Sequence, residues 1–255
     1  MNSCFWTLYE SNFKETAQGL KNSVKKFYPD IPFIDFEIPR HTGRAVNPHA
    51  YHDQDFELND FLEALLDKGT KLLEIFDRAI YIDADSIMTG ECPDFFGDFD
   101  MGVVQNNTPY IESYDRDEND DKVYLNSGLK ICASKEAWQE LIDQYRKVTE
   151  WNVTNLQDAL NKLYHTSKFN YKLLEFPDRV YGISALQWYS GVYLDEGGLV
   201  VPIIKTTGVV GKRVNLMHFA GDFWKKDSKI QFNLIDNKDA RDYLINLTKG
   251  GNNEN

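Results

Sequence analysis

The sequence predicts a single α/β domain, on the grounds of its length, the pattern of its N-terminal part and the position of two aspartates. Its 255 residues are enough for one large core, and 42% of them are hydrophobic. An apolar run over 3–9, helical spacing up to Phe27 and alternation over 33–38 indicate a strand, a helix and a strand. A second apolar run, 79–82, ends in an aspartate pair, where α/β proteins commonly bind ligands.

The remaining elements follow from the same periodicities. The N-terminal helix is expected to be capped by Ser11 or Asn12, since short polar side chains accept hydrogen bonds from the first turn. The next helix, over 57–76, is expected to be interrupted near Gly69. The later predictions are, in chain order, strands over 79–82 and 101–105, helices beginning near 134 and 155, a strand over 214–217 and a helix within 236–247.

Two polar stretches without periodicity, 40–55 and 106–122, are interpreted as loops. The second is acidic and long enough to indicate a functional or mobile segment. Neither an internal repeat nor a linker divides the chain. One domain is therefore predicted over 1–249, followed by a disordered tail over 250–255.

Charge restricts the classes of partner. The formal net charge is -12, which disfavours nucleic acid because phosphate contacts need clustered Lys and Arg. The same charge should repel a free diphosphate unless a divalent cation lies between the two. A phosphate-bearing ligand would therefore predict a metal.

Cysteine usage and hydropathy bear on the compartment. The three cysteines, Cys4, Cys92 and Cys132, are odd in number and widely spaced, which favours a reducing compartment over a disulfide framework. No apolar run is long enough for a membrane span, and the N-terminal segment lacks the basic region of a signal peptide. A cytoplasmic location is expected.

The aspartates at the end of the second apolar run form an Asp83-Ala84-Asp85 motif. Two carboxylates one residue apart in an extended turn can reach one cation together. Such hard oxygen ligands suit Mg²⁺ or Mn²⁺, with other coordination positions left for water and phosphate oxygens. The alternative is an ordinary solvated turn, since Asp is common after strands.

Five segments extend this motif into an ordered set. They are 5–32, which begins Phe-Trp-Thr-Leu, then 76–88 around the two aspartates, Tyr124-Leu125-Asn126-Ser127-Gly128-Leu129, Gln157-Asp158-Ala159-Leu160-Asn161, and Asn215-Leu216-Met217-His218-Phe219-Ala220-Gly221. Together they resemble the GT-A-type glycosyltransferases, in particular glycosyltransferase family 8, which includes glycogenin. The resemblance covers roughly residues 3–226 and implies a single GT-A fold, a Rossmann-like mixed sheet flanked by helices.

The resemblance implies a metal centre made of Asp83, Asp85 and His218. Mn²⁺ is the expected ion, with Mg²⁺ as the alternative, because imidazole suits Mn²⁺ better. The ion would hold the diphosphate of the donor and stabilise the leaving nucleoside diphosphate. The alternative for His218 is a buried histidine at the end of a strand.

The resemblance also implies residues that contact the donor. Thr7, Leu8, Tyr9 and Phe13 correspond to contacts with the nucleotide base, and Asn126 and Ser127 to contacts with the donor sugar. Lys68 and Lys225 correspond to contacts with the phosphates, and Ala84 and Gly221 to further contacts with the donor. Several have simpler interpretations. Tyr9 and Phe13 could belong to the core, Asn126 and Ser127 to a turn without a ligand, and Lys68 to a solvated helix surface.

Gln157 and Asp158 are the residues that the resemblance places in the catalytic region, against the donor sugar. The chain departs from the family there, because Leu156 occupies a position where Asp is usual. The donor pocket or its specificity is therefore expected to differ. Retention of anomeric configuration is implied, with the leaving diphosphate deprotonating the acceptor and Gln157 supporting charge.

The sequence thus predicts a metal-dependent glycosyltransferase that moves a sugar from a nucleotide-sugar donor, with UDP as the expected nucleotide, to a saccharide or other hydroxyl acceptor. A haloacid-dehalogenase-type phosphatase is one alternative, although it would need Thr or Val where Ile87 stands. A nucleotide-sugar-binding protein without catalytic activity is the other.

Overall fold

The computed structural model describes residues 2–39, 55–105, 125–149, 156–175, 191–205, 208–219 and 225–250. The predicted loop over 106–122, most of the loop over 40–55 and nearly all of the C-terminal tail lie outside the described residues. The single domain over 1–249 stays a prediction.

A six-stranded mixed sheet forms the centre of the described chain. Its strands are β1 (Ser3–Glu10), β2 (Phe33–Ile38), β3 (Arg78–Ile82), β5 (Met101–Gln105), β6 (Leu125–Cys132) and β7 (Tyr171–Glu175). The strand order is β2-β1-β3-β6-β5-β7. Strand β1 runs parallel to both of its neighbours, and β6 runs antiparallel to β3 and β5. The predicted α/β class with a mixed sheet is confirmed.

Helices cover both faces of this sheet. They are α1 (Lys14–Phe27), α2 (Asp55–Ile75), α3 (Lys135–Thr149), α4 (Leu156–Thr166) and α5 (Lys238–Thr248). Apolar residues of α2, α3 and α4 share one core with the sheet, while α1 and α5 pack on the other side. Every residue of β1 is buried, as a strand covered on both faces must be. Among the described residues, no helix combines the length and apolarity that crossing a membrane requires.

Three smaller sheets complete the described chain. Strands β8 (Tyr193–Asp195), β9 (Gly198–Lys205) and β10 (Gly208–Arg213) form an antiparallel sheet, and β4 (Ser86–Met88) pairs with β11 (Leu216–His218). A hairpin joins β12 (Lys225–Lys226) to β13 (Lys229–Ile230). Its turn is fixed on α1, because the Thr16 hydroxyl donates to the Ser228 carbonyl at 2.6 Å.

Two predictions about helices are wrong. Neither Ser11 nor Asn12 caps the N-terminal helix: both lie in a 3-10 turn, and α1 begins after Phe13 without a side-chain cap. Asn12 instead donates to the Ser228 hydroxyl of the hairpin at 2.6 Å. Helix α2 is continuous through Gly69, so the glycine marks close packing and not an interruption.

The reason for Gly69 is Trp138 of α3. A Cβ at position 69 would lie 2.1 Å from the indole Cζ2 and 2.5 Å from Cε2. The indole is fixed there, since Trp138 is buried and its Nε1 donates to the Leu66 carbonyl at 3.1 Å. Glycine therefore lets α2 and α3 approach across the indole ring.

We expect Gly69→Ala to lower the free energy of unfolding, measured by urea denaturation. Overpacking a fixed core costs about 1–3 kcal/mol. That cost exceeds the gain of up to about 1 kcal/mol from helix propensity. Gly19→Ala in α1 is the control, because its Cβ would lie 3.2 Å from the Thr248 side chain, a milder contact. A Gly69→Ala protein as stable as the Gly19→Ala protein would contradict this packing.

Candidate functional site

A turn at the end of β3 positions the two aspartates. The Asp83 amide donates to the Gly128 carbonyl of β6 at 2.8 Å, and the Ser86 amide donates to the Asp83 carbonyl at 3.1 Å. The first bond ties the turn to the sheet, and the second closes the turn on itself. The chain then continues directly into β4.

His218 reaches this turn through the pairing of β11 with β4. In that pairing His218 lies opposite Ser86, and the Phe219 amide donates to the Asp85 carbonyl at 2.8 Å. A residue from the late part of the chain is thereby fixed beside the aspartates. His218 itself is buried, with 6% of its surface exposed, so its ring is confined to this contact.

The three side chains lie at distances that one cation could span. His218 Nε2 is 3.0 Å from Asp85 Oδ1 and 3.5 Å from Asp83 Oδ2, and one potential ligand atom from each residue lies within 4.8 Å of the others. Ligand bonds of about 2.0–2.3 Å separate neighbouring ligand atoms by this order of distance. Two carboxylates and an imidazole fit a divalent ion of the Mn²⁺ type.

Tyr81 holds the Asp83 carboxylate in position. Its hydroxyl donates to Asp83 Oδ1 at 2.6 Å, while the other carboxylate oxygen faces His218. A ligand carboxylate is commonly fixed by such a second hydrogen bond. The carboxylate of one potential metal ligand is therefore already oriented by a hydrogen bond within the described residues.

Burial makes the Asp83 charge costly. It raises the pKa of Asp83 above its ordinary value, His218 and Lys130 oppose this shift, and the Asp85 carboxylate adds to it. The side chain is still 34% exposed on the side of the cleft, so solvent moderates the effect. A divalent cation would offset the burial and repulsion of the two carboxylates.

A cleft of about 290 Å³ opens beside this cluster. Its walls come from the end of β1, the turn after it, α2, β3, β6 and the first residue of α4. They include five residues that the sequence analysis assigned to the donor: Leu8, Tyr9, Phe13, Ala84 and Ser127.

Other predicted residues lie elsewhere or act differently. Thr7 is fully buried and is not among the described residues that line the cleft. The Asn126 side chain accepts a hydrogen bond from the Gly128 amide at 2.7 Å and so fixes the local backbone of β6. The Lys68 ammonium lies 5.3 Å from the centre of the Phe36 ring and 3.9 Å from Asp67, and Lys68 is not among the described residues that line the cleft.

The remaining predicted residues are described in part or not at all. Gln157 and Asp158 lie in the first turn of α4, but their side chains are outside the described structure. The same holds for the side chain of Lys225 in β12, and Gly221 lies wholly outside the described residues. Leu156, which precedes Gln157, lines the cleft and is 2% exposed.

Lys130 is a cleft residue that the sequence analysis missed. It is 1% exposed, and its Nζ lies 4.1 Å from the centre of the Tyr81 ring and donates to the Ser127 carbonyl. Burial lowers the pKa of Lys130 to about 8, and the Asp83 carboxylate opposes this shift. The sequence offered one local signal, since Lys130 lies between the apolar residues Leu129 and Ile131.

The chain resembles known proteins in its overall structure but not in its overall sequence. The sequence matches no family model and no curated protein. The structure is similar to that of the galactosyltransferase LgtC in complex with donor and acceptor sugar analogues, with 15% identity, a TM-score of 0.58 and coverage of 96% of this chain and 94% of that one. An active-site mutant of LgtC gives 14% identity, a TM-score of 0.58 and coverage of 95% and 94%.

The bifunctional glycosyltransferase WbbM, in its apo form, is also similar, with 14% identity and a TM-score of 0.54. The likeness covers 98% of this chain and 50% of WbbM. The chain has the GT-A fold. Within the GT-A fold, the Asp83 turn and the cleft lie at the end of the central strand β3, where α/β proteins place ligands.

We expect Asp83→Asn to raise the melting temperature of the metal-free protein at pH 7 and to remove stabilisation by Mn²⁺. Asparagine can still accept the Tyr81 hydrogen bond but carries no buried charge. Because burial raises the pKa of Asp83, the folded chain holds this proton more tightly than the unfolded chain. The contribution of Asp83 to stability therefore falls as pH rises from its ordinary pKa through the raised one, and the variant should lack this fall.

Differential scanning fluorimetry at several pH values, with and without Mn²⁺, measures both effects. Asp195→Asn is the matched control, since Asp195 forms an ion pair with Arg213 at 3.0 Å on a different sheet. Its response to Mn²⁺ should equal that of the wild type. Undiminished stabilisation of Asp83→Asn by Mn²⁺ would rule Asp83 out as a ligand.

Proposed function

We propose that the chain is a metal-dependent glycosyltransferase that transfers a sugar from a nucleotide-sugar donor. The observation that carries this proposal is the cluster of Asp83, Asp85 and His218 beside a cleft in a GT-A fold. LgtC, with the same fold, was solved with donor and acceptor sugar analogues, which supports a donor and an acceptor as partners here. The expected donor is a UDP-sugar, and the acceptor is a saccharide or another hydroxyl compound.

The three clustered residues would hold the metal, with Mn²⁺ as the favoured ion and Mg²⁺ as the alternative. When bound, such an ion neutralises the diphosphate and stabilises its charge as the leaving group. Tyr81 fixes the orientation of Asp83, and the β4–β11 pairing fixes that of His218. The protein is strongly acidic, so the ion also makes binding of the diphosphate electrostatically feasible.

The β1 end of the cleft suits the nucleotide. Tyr9 and Phe13 line it and offer flat side chains on which a base can stack. Tyr9 is held by a hydrogen bond from its hydroxyl to Asp35 at 3.4 Å, a long contact that orients the ring. Leu8 and Ala84 add apolar surface between this end and the metal ligands.

We expect Asp85→Ala to lower transfer or donor hydrolysis by about 100-fold or more, since loss of residues that merely support metal ligands costs about 10–100-fold. Release of UDP from a panel of UDP-sugars with Mn²⁺ measures this. Asp242→Asn on α5 is the control, because Asp242 pairs with Lys238 at 2.6 Å and is not among the described residues lining the cleft. Equal rates in Asp85→Ala and wild type would refute a metal role for Asp85.

The same purified protein can be used to distinguish the proposed transferase from the two alternative functions. Ligand binding at 100 times its Kd adds about 2.7 kcal/mol of stability, which a thermal shift detects. A shift with UDP and Mn²⁺ but no turnover would favour a binding protein without catalytic activity. Phosphate release from p-nitrophenyl phosphate with Mg²⁺ would favour a haloacid-dehalogenase-type phosphatase. The likeness in fold to LgtC supports the transferase over that phosphatase.

Gln157 and Asp158 are proposed to act on the donor sugar. Their helix α4 begins with Leu156, which lines the cleft, so the start of the helix lies beside the cleft. The proposed mechanism retains anomeric configuration: the leaving diphosphate takes the acceptor proton, and Gln157 supports the developing charge. The Gln157 amide is neutral and so could stabilise charge without forming a lasting bond to the sugar.

We expect Gln157→Ala to reduce kcat by roughly 10–100-fold, since removal of one oriented hydrogen-bond donor from an active site lowers kcat by on the order of 100-fold. The KM for the donor should change less, because the metal and the nucleotide contacts remain. Steady-state kinetics of wild type, Gln157→Ala and Gln157→Glu measure the separation. Unchanged kcat in Gln157→Ala, alongside lost activity in Asp85→Ala, would exclude the supporting role.

A further inference from the structure

Lys130 places a buried ammonium at the floor of the cleft. Its neighbours in β6, Leu129 and Ile131, point into the apolar core on the opposite face of the sheet. Lys130 is paired in register with Tyr81 of β3 on one side and Val103 of β5 on the other. A charge in the middle of a sheet costs free energy unless another group compensates it. The Asp83 carboxylate does so in part, and an anionic ligand in the cleft would add to that compensation.

The ammonium is held in one position. Its Nζ donates to the Ser127 carbonyl and lies 4.1 Å from the centre of the Tyr81 ring. Ser127 and Tyr81 both line the cleft, so these contacts hold the charge at the cleft wall. An ammonium has three N–H donors, and the Ser127 carbonyl uses one of them.

The cleft around Lys130 is otherwise acidic or apolar. Asp83, Asp85 and Glu10 are its acidic lining residues, and its apolar wall near α2 and α4 consists of Phe61, Leu62, Leu65 and Leu156. Among the described lining residues, Lys130 alone carries an ammonium or guanidinium group. An anionic ligand in this cleft therefore has Lys130 as its direct cationic contact in the described structure.

We propose that Lys130 binds an anionic oxygen of the nucleotide-sugar donor; this inference rests on the proposed function. Two parts of a donor can supply that oxygen: the diphosphate, or a carboxylate on the transferred sugar, as in a hexuronic acid. Lys130 selects between donors in the second case and strengthens binding of all donors in the first.

Lys130→Met tests the inference, because methionine keeps much of the length of the side chain and removes the charge. Its melting temperature is measured alongside, because removing Lys130 also removes a positive charge that partly compensates Asp83. Calorimetry in the presence of Mn²⁺ compares UDP, UDP-glucose and UDP-glucuronic acid on wild type and variant. We expect a loss of affinity of at least tenfold, for all three ligands if the diphosphate is bound, or for UDP-glucuronic acid alone if the carboxylate is.

Controls separate donor binding from other roles. Lys172→Met removes a half-exposed strand lysine that lies 3.6 Å from Asp94, and it should bind all three ligands as the wild type does. Lys130→Arg keeps the charge and should retain more affinity than Lys130→Met. Titration with Mn²⁺ alone completes the set, and the affinity for the ion should change less than the affinity for the donor.

Two results would overturn the inference alone. One is wild-type affinity of Lys130→Met for all three ligands; the other is a loss that Mn²⁺ titration without nucleotide accounts for in full, which would make Lys130 a counter-charge for Asp83. If Lys130→Met folds poorly, Lys130→Gln gives the same comparison with a neutral donor. A wild-type protein that binds none of the three ligands would overturn the proposed function together with this inference.

Discussion

The close approach of two carboxylates and an imidazole at the end of β3 is the interaction on which the rest of the site depends. Burial and mutual repulsion disfavour the charged form of Asp83, yet the turn, the Tyr81 hydroxyl and the neighbouring strand hold it in place. Several hydrogen bonds thus stabilise an arrangement of carboxylates that is electrostatically unfavourable without a cation. Such local cost in an otherwise well-packed sheet is typical of functional sites.

The charge of the whole chain gives this cluster a second significance. With a net charge of -12, the protein repels anions at long range, and the cleft adds three carboxylates at short range. A phosphate-bearing ligand must therefore meet positive charge inside the cleft itself. The triad could provide it through a divalent ion, and Lys130 provides it directly from the sheet.

Much of the fold could be predicted because its elements have strong local patterns. The alternation over 33–38 and the apolar run at 79–82 appear as β2 and β3, and β1 pairs with β2 in parallel as a β-α-β unit requires. The errors came from tertiary contacts. Gly69 has no local signal that distinguishes a break in a helix from a place where Trp138 packs, and Asn12 serves the hairpin rather than a helix end.

The residues of the site that belong to a sequence motif could be predicted, whereas those whose role depends on packing could not. The structure brings Asp83, Asp85 and His218 together, although their separation in sequence gave no geometric reason for it apart from the family resemblance. Thr7 was assigned to the donor through the family resemblance, but it is fully buried and the described cleft begins one residue later along β1, at Leu8. Lys130 was overlooked because a lysine between two apolar residues indicates burial but does not show which groups surround it in space.

The pairing of β4 with β11 has a consequence for biosynthesis. Asp83 and Asp85 emerge from the ribosome well before His218, so the aspartate turn exists for a time without its third member. The three-residue cluster is therefore complete only after β11 has been synthesised and has docked on β4. A nascent chain interrupted between these two strands would hold the aspartates without the imidazole, so assembly of the cluster depends on nearly the whole length of the chain.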